Sequence, residues 1–180
     1  MSGSGKLERG MLHLYAGRGK GASAAAFGLA FRAVGHNLKV QAILFLKGSL
    51  EYGEQETARR LSPFVDIRPM GREVQIDPNE LEQIDIKWAQ DGWRLACSAM
   101  AQGKVDVLIL DEITTAIGLG LLDLDEVIDG LRSRPQNMEV VLTGSDAPEQ
   151  LVQLCDVVTI LERKKHYLDR GIEPRPGIDM

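Results

Sequence analysis

Short apolar runs alternate along this chain with longer stretches whose apolar positions recur every three or four residues. Met11 to Tyr15 reads as a strand, Gly17 to Gly21 as a glycine-rich loop, and Ser23 to Val34 as an Ala-rich helix. Ser23 suits the N-cap or first turn of that helix. Val40 to Leu46 is a continuous apolar run of the kind found in buried parallel strands. A loop at Lys47 to Gly53 leads to a helix over Glu54 to Leu61 and a third strand over Val65 to Arg68. Pro78 with the acidic Glu80 and Glu82 opens a long helix running to about Gln102, with Ile84, Trp88, Leu95 and Met100 on one face. Val105 to Leu110 is β-rich and lies between a Gly-Lys turn and two acids, which marks a strand. Asp123 or Asp125 caps a helix that ends before Pro135. Glu139 to Thr143 and Val157 to Leu161 are two further strands, with a helix opened by Pro148 between them. Strands separated by helices predict an α/β domain of three layers, a mostly parallel sheet with helices on both faces.

Composition narrows the class without naming a chemistry. The chain has 180 residues, 44% of them hydrophobic, with 21 Lys+Arg against 26 Asp+Glu and a net charge of −5. Residues 1–8, opening on a Gly/Ser run, read as a flexible terminus, and 9–180 as a single domain large enough to bury its own core. The mild acidity offers no footprint for nucleic acid or an anionic membrane. Gly21 to Phe31 and Ile113 to Leu122 are uncharged but far short of the ~20 residues of a membrane span. Lys6 and Arg9 precede an apolar segment that His13 interrupts and Arg18 closes, unlike a signal peptide. Cys97 and Cys155 are too few for a disulfide framework. A cytoplasmic globular protein is expected.

The strand-loop-helix at Met11 to Val34 is where such a fold binds phosphate, through loop amides and a helix N-terminus. Against GxxxxGK[ST], the window Ala16 to Ser23 matches at Gly21 and Ser23 only; Ala16 stands at the first glycine and Ala22 at the lysine. Arg18 and Lys20 supply positive charge nearby. The same residues also suit a plain glycine turn joining strand to helix. Val105 to Leu110, an apolar strand running into Asp111 and Glu112, is the second element, because it sets carboxylates where phosphate-loop enzymes hold Mg²⁺. Gly3-Ser4-Gly5-Lys6 imitates a phosphate loop, but no strand precedes it. The two features in this order point to phosphate-loop ancestry, with a fold of the RecA-like NTPase type.

The run "YAGRGKGASAAAFGLAFRAVGH" resembles the ATP:corrinoid adenosyltransferases, whose loop reads TGxGKGKTTAA and whose helix ends in RAxGHG. The likeness continues in order through "FLKG" with Gly53-Glu54, "LDEI" at Leu110 to Ile113, Arg134-Pro135, "LTG" at Leu142 to Gly144, Lys165-His166 and the closing Gly177-Ile178-Asp179. It covers the chain after its first eight residues. The resemblance implies a homodimer that transfers the 5′-deoxyadenosyl group of ATP to cobalt of a corrinoid, in cobalamin synthesis or salvage, with Mg²⁺ and an external electron donor such as a flavoprotein. By the same likeness Gly17, Arg18, Gly19, Lys20, Gly21, Ala22 and Ser23 surround the phosphates, with Arg32 near the polyphosphate. Ser23 and Glu112 would hold Mg²⁺, and Arg72 and Val74 stand at corrin-facing positions.

This chain departs from the family at three places. Ala22 replaces the loop lysine, removing a charge-assisted contact of a kind worth ~1.5–3 kcal/mol. Arg72 and Val74 replace an aromatic pair, Phe and Trp, that in the family covers the lower face of the corrin. Ser145 replaces the Arg of TGR. These losses support a second reading, a non-catalytic relative that serves as a corrinoid- or nucleotide-binding or protein-interaction module. A phosphate-loop NTPase acting on another substrate is disfavoured by the missing lysine. His13, His36 and His166 lack zinc-ligand spacing, and His36 belongs to the turn after the first helix. Cys97 reads as a small core residue, Trp88 and Trp93 as core or dimer packing. Arg163 to His166 is a basic run of the solvated kind, which the resemblance sets near the dimer and active-site region.

Overall fold

A computed structural model describes residues 6–18, 21–48, 53–73, 77 and 79–179. The strands are β1 (Leu12–Ala16), β2 (Val40–Phe45), β3 (Val65–Met70), β4 (Val107–Asp111), β5 (Glu139–Gly144) and β6 (Val157–Ile160). The helices are α1 (Ala22–Val34), α2 (Gly53–Arg60), α3 (Gln83–Gln102), α4 (Ile113–Gly118), α5 (Leu124–Arg132) and α6 (Glu149–Leu154), followed by a short 3₁₀ turn at Tyr167–Arg170. Every strand pair in the sheet is parallel, and the order is β3-β2-β4-β5-β1-β6. The expected three-layer α/β fold is therefore present, and β5 lies between β1 and β4.

Strand alternation divides the core into two faces. Val40, Ala42, Leu44, Val107, Ile109 and Val141 face one side, against Ala26, Ala30 and Ala33 of α1. Leu14, Ile43, Phe45, Leu108, Leu110 and Leu142 face the other, against α3 to α6. The small side chains of α1 allow close approach to the sheet and bring its N-terminus over the carboxyl ends of the strands. Gly21 is the N-cap of α1 and no side chain caps it, so Ser23 lies in the first turn.

Several sequence expectations are corrected. The long helix starts at Gln83, not near Pro78, because Glu82 and Asp85 form a reciprocal capping box there; Pro78 lies outside the described residues. Its buried face carries Ala89, Gly92, Trp93, Ala96 and Met100, while Ile84 and Trp88 are 39% and 37% exposed. The reason is steric: a Cβ on Gly92 would lie 2.9 Å from the Phe45 ring, so α3 approaches β2 closely at Gly92, and this face, not the one with Ile84 and Trp88, is buried. β4 begins at Val107, and α4 was not anticipated from the sequence. Asp123 caps α5 by accepting from the Glu126 amide at 2.9 Å. Among the described residues no helix is long and apolar enough to cross a membrane.

Candidate functional site

The loops leaving β1, β4 and β5 converge at the carboxyl edge of the sheet, the place where open α/β folds bind ligands. Gly17 donates its amide to the Gly144 carbonyl at 3.0 Å, tying the loop after β1 to the end of β5. Both glycines have positive φ, +154° and +155°, and neither leaves room for a Cβ. A Cβ on Gly17 would lie 2.0 Å from the Leu161 carbonyl oxygen, and one on Gly144 2.1 Å from Thr114 Oγ1. The loop edge is therefore built from backbone, as an anion site requires.

A cleft of about 1460 Å³ opens here, lined by Gly17, Arg18, Gly21, Ala22, Ser23 and Glu112 among others. These are residues the sequence had singled out, and the fold brings them together. Gly19, Lys20 and Val74 lie outside the described residues. Arg18 is exposed and sits 3.3 Å from Asp146. Arg32 is exposed on α1 and does not line the cleft. Arg72 does line it, with its guanidinium held by Asp85 at 2.7 and 2.9 Å and by Glu82. The Asp85 hydrogen bond, against a smaller opposing effect of burial, raises the Arg72 pKa above its ordinary value.

The acids after β4 are held by groups that sequence reasoning missed. Asp111 is fully buried; it accepts from the Thr143 hydroxyl at 2.7 Å and from the Lys47 ammonium at 2.6 Å. Glu112 takes a left-handed conformation, φ +64°, which turns the chain sharply into α4. Its amide donates to Thr143 Oγ1 at 2.9 Å, and its carboxylate accepts from the Thr115 hydroxyl at 2.6 Å. Thr115 Oγ1 in turn accepts the Ser145 amide at 2.9 Å. The two threonine hydroxyls each donate to an acid and accept an amide, so their orientation is fixed. The sequence signal for this network is the pair of Thr-bearing stretches after β4 and at the end of β5.

Among the described residues no three His, Cys, Asp or Glu side chains cluster to hold a metal by themselves. Ser23 and Glu112 share the cleft, which suits Mg²⁺, an ion that keeps waters and takes one or two carboxylates plus substrate phosphates. Asp111 is committed to Lys47 and Thr143, so of the two acids Asp111 and Glu112 it is Glu112 that lines the cleft. The C-terminal segment folds back over the same opening, with Arg163, Pro174, Gly177 and Ile178 lining it. Away from the cleft, burial pushes the Cys155 thiol up to about 12, and both cysteines are free.

The model of the family described as ATP:corrinoid adenosyltransferase BtuR/CobO/CobP matches residues 8–180. The chain belongs to this family. The match runs through every element that builds the cleft, from β1 to the C-terminal segment. A corrinoid adenosyltransferase of Pseudomonas aeruginosa is 35% identical over 172 residues, 96% of this chain and 84% of the relative. One of Escherichia coli is also 35% identical, over 96% of this chain and 86% of the relative. Corrinoid adenosyltransferase CobA of Salmonella typhimurium is 32% identical over the same shares. The flagellar accessory protein FlaH of Methanocaldococcus jannaschii shares the fold, with a TM-score of 0.60, 15% identity, and coverage of 86% of this chain and 72% of that one. The fold class read from the sequence, α/β of the phosphate-loop, RecA-like type, stands.

Proposed function

We propose that this adenosyltransferase-family chain moves the 5′-deoxyadenosyl group of ATP onto the cobalt of a corrinoid. The observation that carries the reading is the family match over residues 8–180, which includes the whole cleft. A cleft of about 1460 Å³ exceeds the ~300–1,000 Å³ of a site for one small ligand, which fits a site for two substrates. The electron donor is a one-electron reductant such as a flavoprotein, and the working form is a cytoplasmic homodimer.

In the reaction a Co(I) corrinoid attacks C5′ of ATP in line. The Co–C bond forms as the C5′–O bond breaks, and triphosphate leaves with that bonding pair. The chain's work is positioning and electrostatics. Gly17 and Gly21 bring loop amides and the uncapped N-terminus of α1 against the phosphates, and Arg18 adds charge at the rim. Ser23 and Glu112 would hold Mg²⁺, which neutralises charge growing on the leaving triphosphate. Thr115 fixes the Glu112 carboxylate by its 2.6 Å hydrogen bond, so the acid need not reorganise during the step. Arg72 and Val74 are the positions that the family resemblance assigns to the corrin.

Incubation with ATP, Mg²⁺ and a chemically reduced Co(I) corrinoid tests the reading. Formation of a light-sensitive Co–C product with release of triphosphate is expected. Failure of the native chain to form that product would sink it and leave the non-catalytic binding module.

A further inference from the structure

Ala22 occupies the loop position where the family has a lysine, and it is 5% exposed. The cleft nevertheless contains a lysine ammonium fixed from another strand. Lys47 follows β2, and its Nζ lies 2.6 Å from Asp111 Oδ2. The Lys47 side chain is 27% exposed and that of Asp111 is 0% exposed, so the ammonium stands on the cleft side of the pair and the carboxylate behind it. Thr143 supports that carboxylate from the other oxygen. Asp111 immediately precedes Glu112 in sequence, and Lys47 and Glu112, the acid assigned to the metal, both line the cleft.

The backbone around Lys47 is also rigid. Leu46 is left-handed at φ +64° and donates its amide to the Met70 carbonyl at 3.2 Å. A Cβ on Gly71 would lie 2.5 Å from the Leu46 carbonyl carbon, and one on Gly48 2.3 Å from the Arg72 carbonyl oxygen. The segment 46–48 is thus packed backbone against backbone on 70–72. Other cleft-lining cations have different anchors: Arg18 is 82% exposed against Asp146, and Arg72 is directed to Asp85 at the start of α3. Arg163 pairs with Asp169, and among the described residues Lys47 is the cleft-lining cation anchored to Asp111, the sequence neighbour of Glu112.

We infer that Lys47 is the polyphosphate-binding cation of this chain, taking over the charge that the loop lost at Ala22. The inference rests on the adenosyl-transfer reading for its substrate, but its site can be probed with polyphosphate alone. A lysine ammonium held in place by a buried carboxylate is already ordered, so a phosphate contact there costs little side-chain entropy.

The test is calorimetric titration of the full chain with Mg²⁺-tripolyphosphate, Mg²⁺-ATP and adenosine. The variants are Lys47→Met, Lys47→Met with Asp111→Asn, and that pair with Ala22→Lys. The Asp111→Asn change removes the carboxylate charge that Lys47→Met alone would strand, so the double variant keeps a folded reference, verified by its melting curve. We expect the double variant to lose about ten-fold or more in affinity for tripolyphosphate and ATP, as a charged hydrogen bond warrants. Adenosine affinity stays within about two-fold, because adenosine carries no phosphate for the ammonium to meet. Ala22→Lys in that background recovers most of the loss. Native polyphosphate affinity in the double variant overturns the inference and leaves adenosyl transfer standing. Equal loss for adenosine overturns it as a purely structural effect. A native chain that binds neither ATP nor tripolyphosphate overturns the proposed function and this inference together.

Discussion

Arg72 and Asp85 meet through two parallel hydrogen bonds, Nε to Oδ1 at 2.7 Å and Nη2 to Oδ2 at 2.9 Å. The Asp85 side chain is fully buried and also accepts the Glu82 amide at 2.9 Å, closing the capping box of α3. The pair therefore fastens the segment after β3, a wall of the cleft, to the first turn of α3. Removing the guanidinium strands a buried carboxylate, which is worse than lacking the pair altogether. Arg72→Ala is expected to lower the denaturant midpoint, and Asp85→Asn in that background to restore part of it. Equal midpoints for the native chain and Arg72→Ala would refute the fastening role.

Backbone packing makes opposite predictions for two glycines. A Cβ at Gly144 would meet Thr114 Oγ1 at 2.1 Å and the Thr115 amide nitrogen at 2.8 Å, at a φ of +155°. Gly144→Ala is expected to cost about 2–4 kcal/mol through overpacking and strain. Gly28 is exposed in the middle of α1 with nothing within 4 Å of its absent Cβ. Gly28→Ala is expected to gain about 0.5–1 kcal/mol from the lower entropy of its unfolded chain and better helix propensity. Urea unfolding of the two variants gives shifts of opposite sign if this is right.

At the opposite end of the sheet, Glu139 accepts from the Met11 amide at 2.7 Å and pairs with His13 Nε2 at 2.6 Å. Burial pushes the Glu139 carboxyl up, but the His13 and Met11 hydrogen bonds outweigh it and hold it below its ordinary value. A carboxyl depressed by folding adds stability above its unfolded pKa, and that contribution is lost as pH falls through the folded value. Acidification below the ordinary carboxylate range should therefore weaken the native chain, and Glu139→Gln should flatten that limb. Parallel acid limbs in the two chains would dismiss Glu139 as a contributor.

The parts of this fold that were legible in the sequence are those with a local signal. β2 and β4 are nearly continuous apolar runs because both faces are covered, and α1 shows its sheet-facing alanines at helical spacing. The loop glycines and the acids after β4 were legible for the same reason, since each sits beside a strand. What escaped notice depends on contacts distant in sequence. Lys47 and Asp111 are 64 residues apart, and no local pattern in either joins them. α4 is six residues long, too short for a periodicity to declare itself, and starts from a left-handed Glu112 that propensity does not anticipate. Ile84 and Trp88 were misplaced because apolar spacing identified a stripe, whereas the close approach at Gly92 decided which stripe is buried.

Glu112→Gln isolates the charge of the proposed metal acid from its position. The amide oxygen of glutamine can still accept from Thr115, so the turn into α4 is preserved while the negative charge is lost. Loss of a carboxylate from a metal site that stabilises a leaving polyphosphate is expected to lower kcat/KM on the order of 100-fold. The Mg²⁺ concentration for half-maximal activity should rise, with the melting temperature little changed. A variant with native kcat/KM and native Mg²⁺ dependence would remove Glu112 from the metal site.

The positions that the resemblance assigns to the corrin, Arg72 and Val74, yield a prediction that separates reduction of cobalt from transfer. The resemblance implies an aromatic pair, Phe and Trp, where this chain has Arg72 and Val74, one that would cover the lower face of the corrin so that cobalt loses its lower ligand. Four-coordinate cobalt is easier to reduce, so the pair acts on the Co(II) to Co(I) step and not on the attack at C5′. Arg72→Phe with Val74→Trp, combined with Asp85→Asn so that no buried carboxylate is left without its cation, should raise the rate when a mild one-electron donor must reduce Co(II). With cobalt already reduced chemically to Co(I), the same variant should turn over at close to the native rate, because the step the aromatics assist has been bypassed. A variant faster by the same factor in both assays would instead locate the benefit in corrinoid binding. No change in either assay would overturn the assignment of positions 72 and 74 to cobalt reduction.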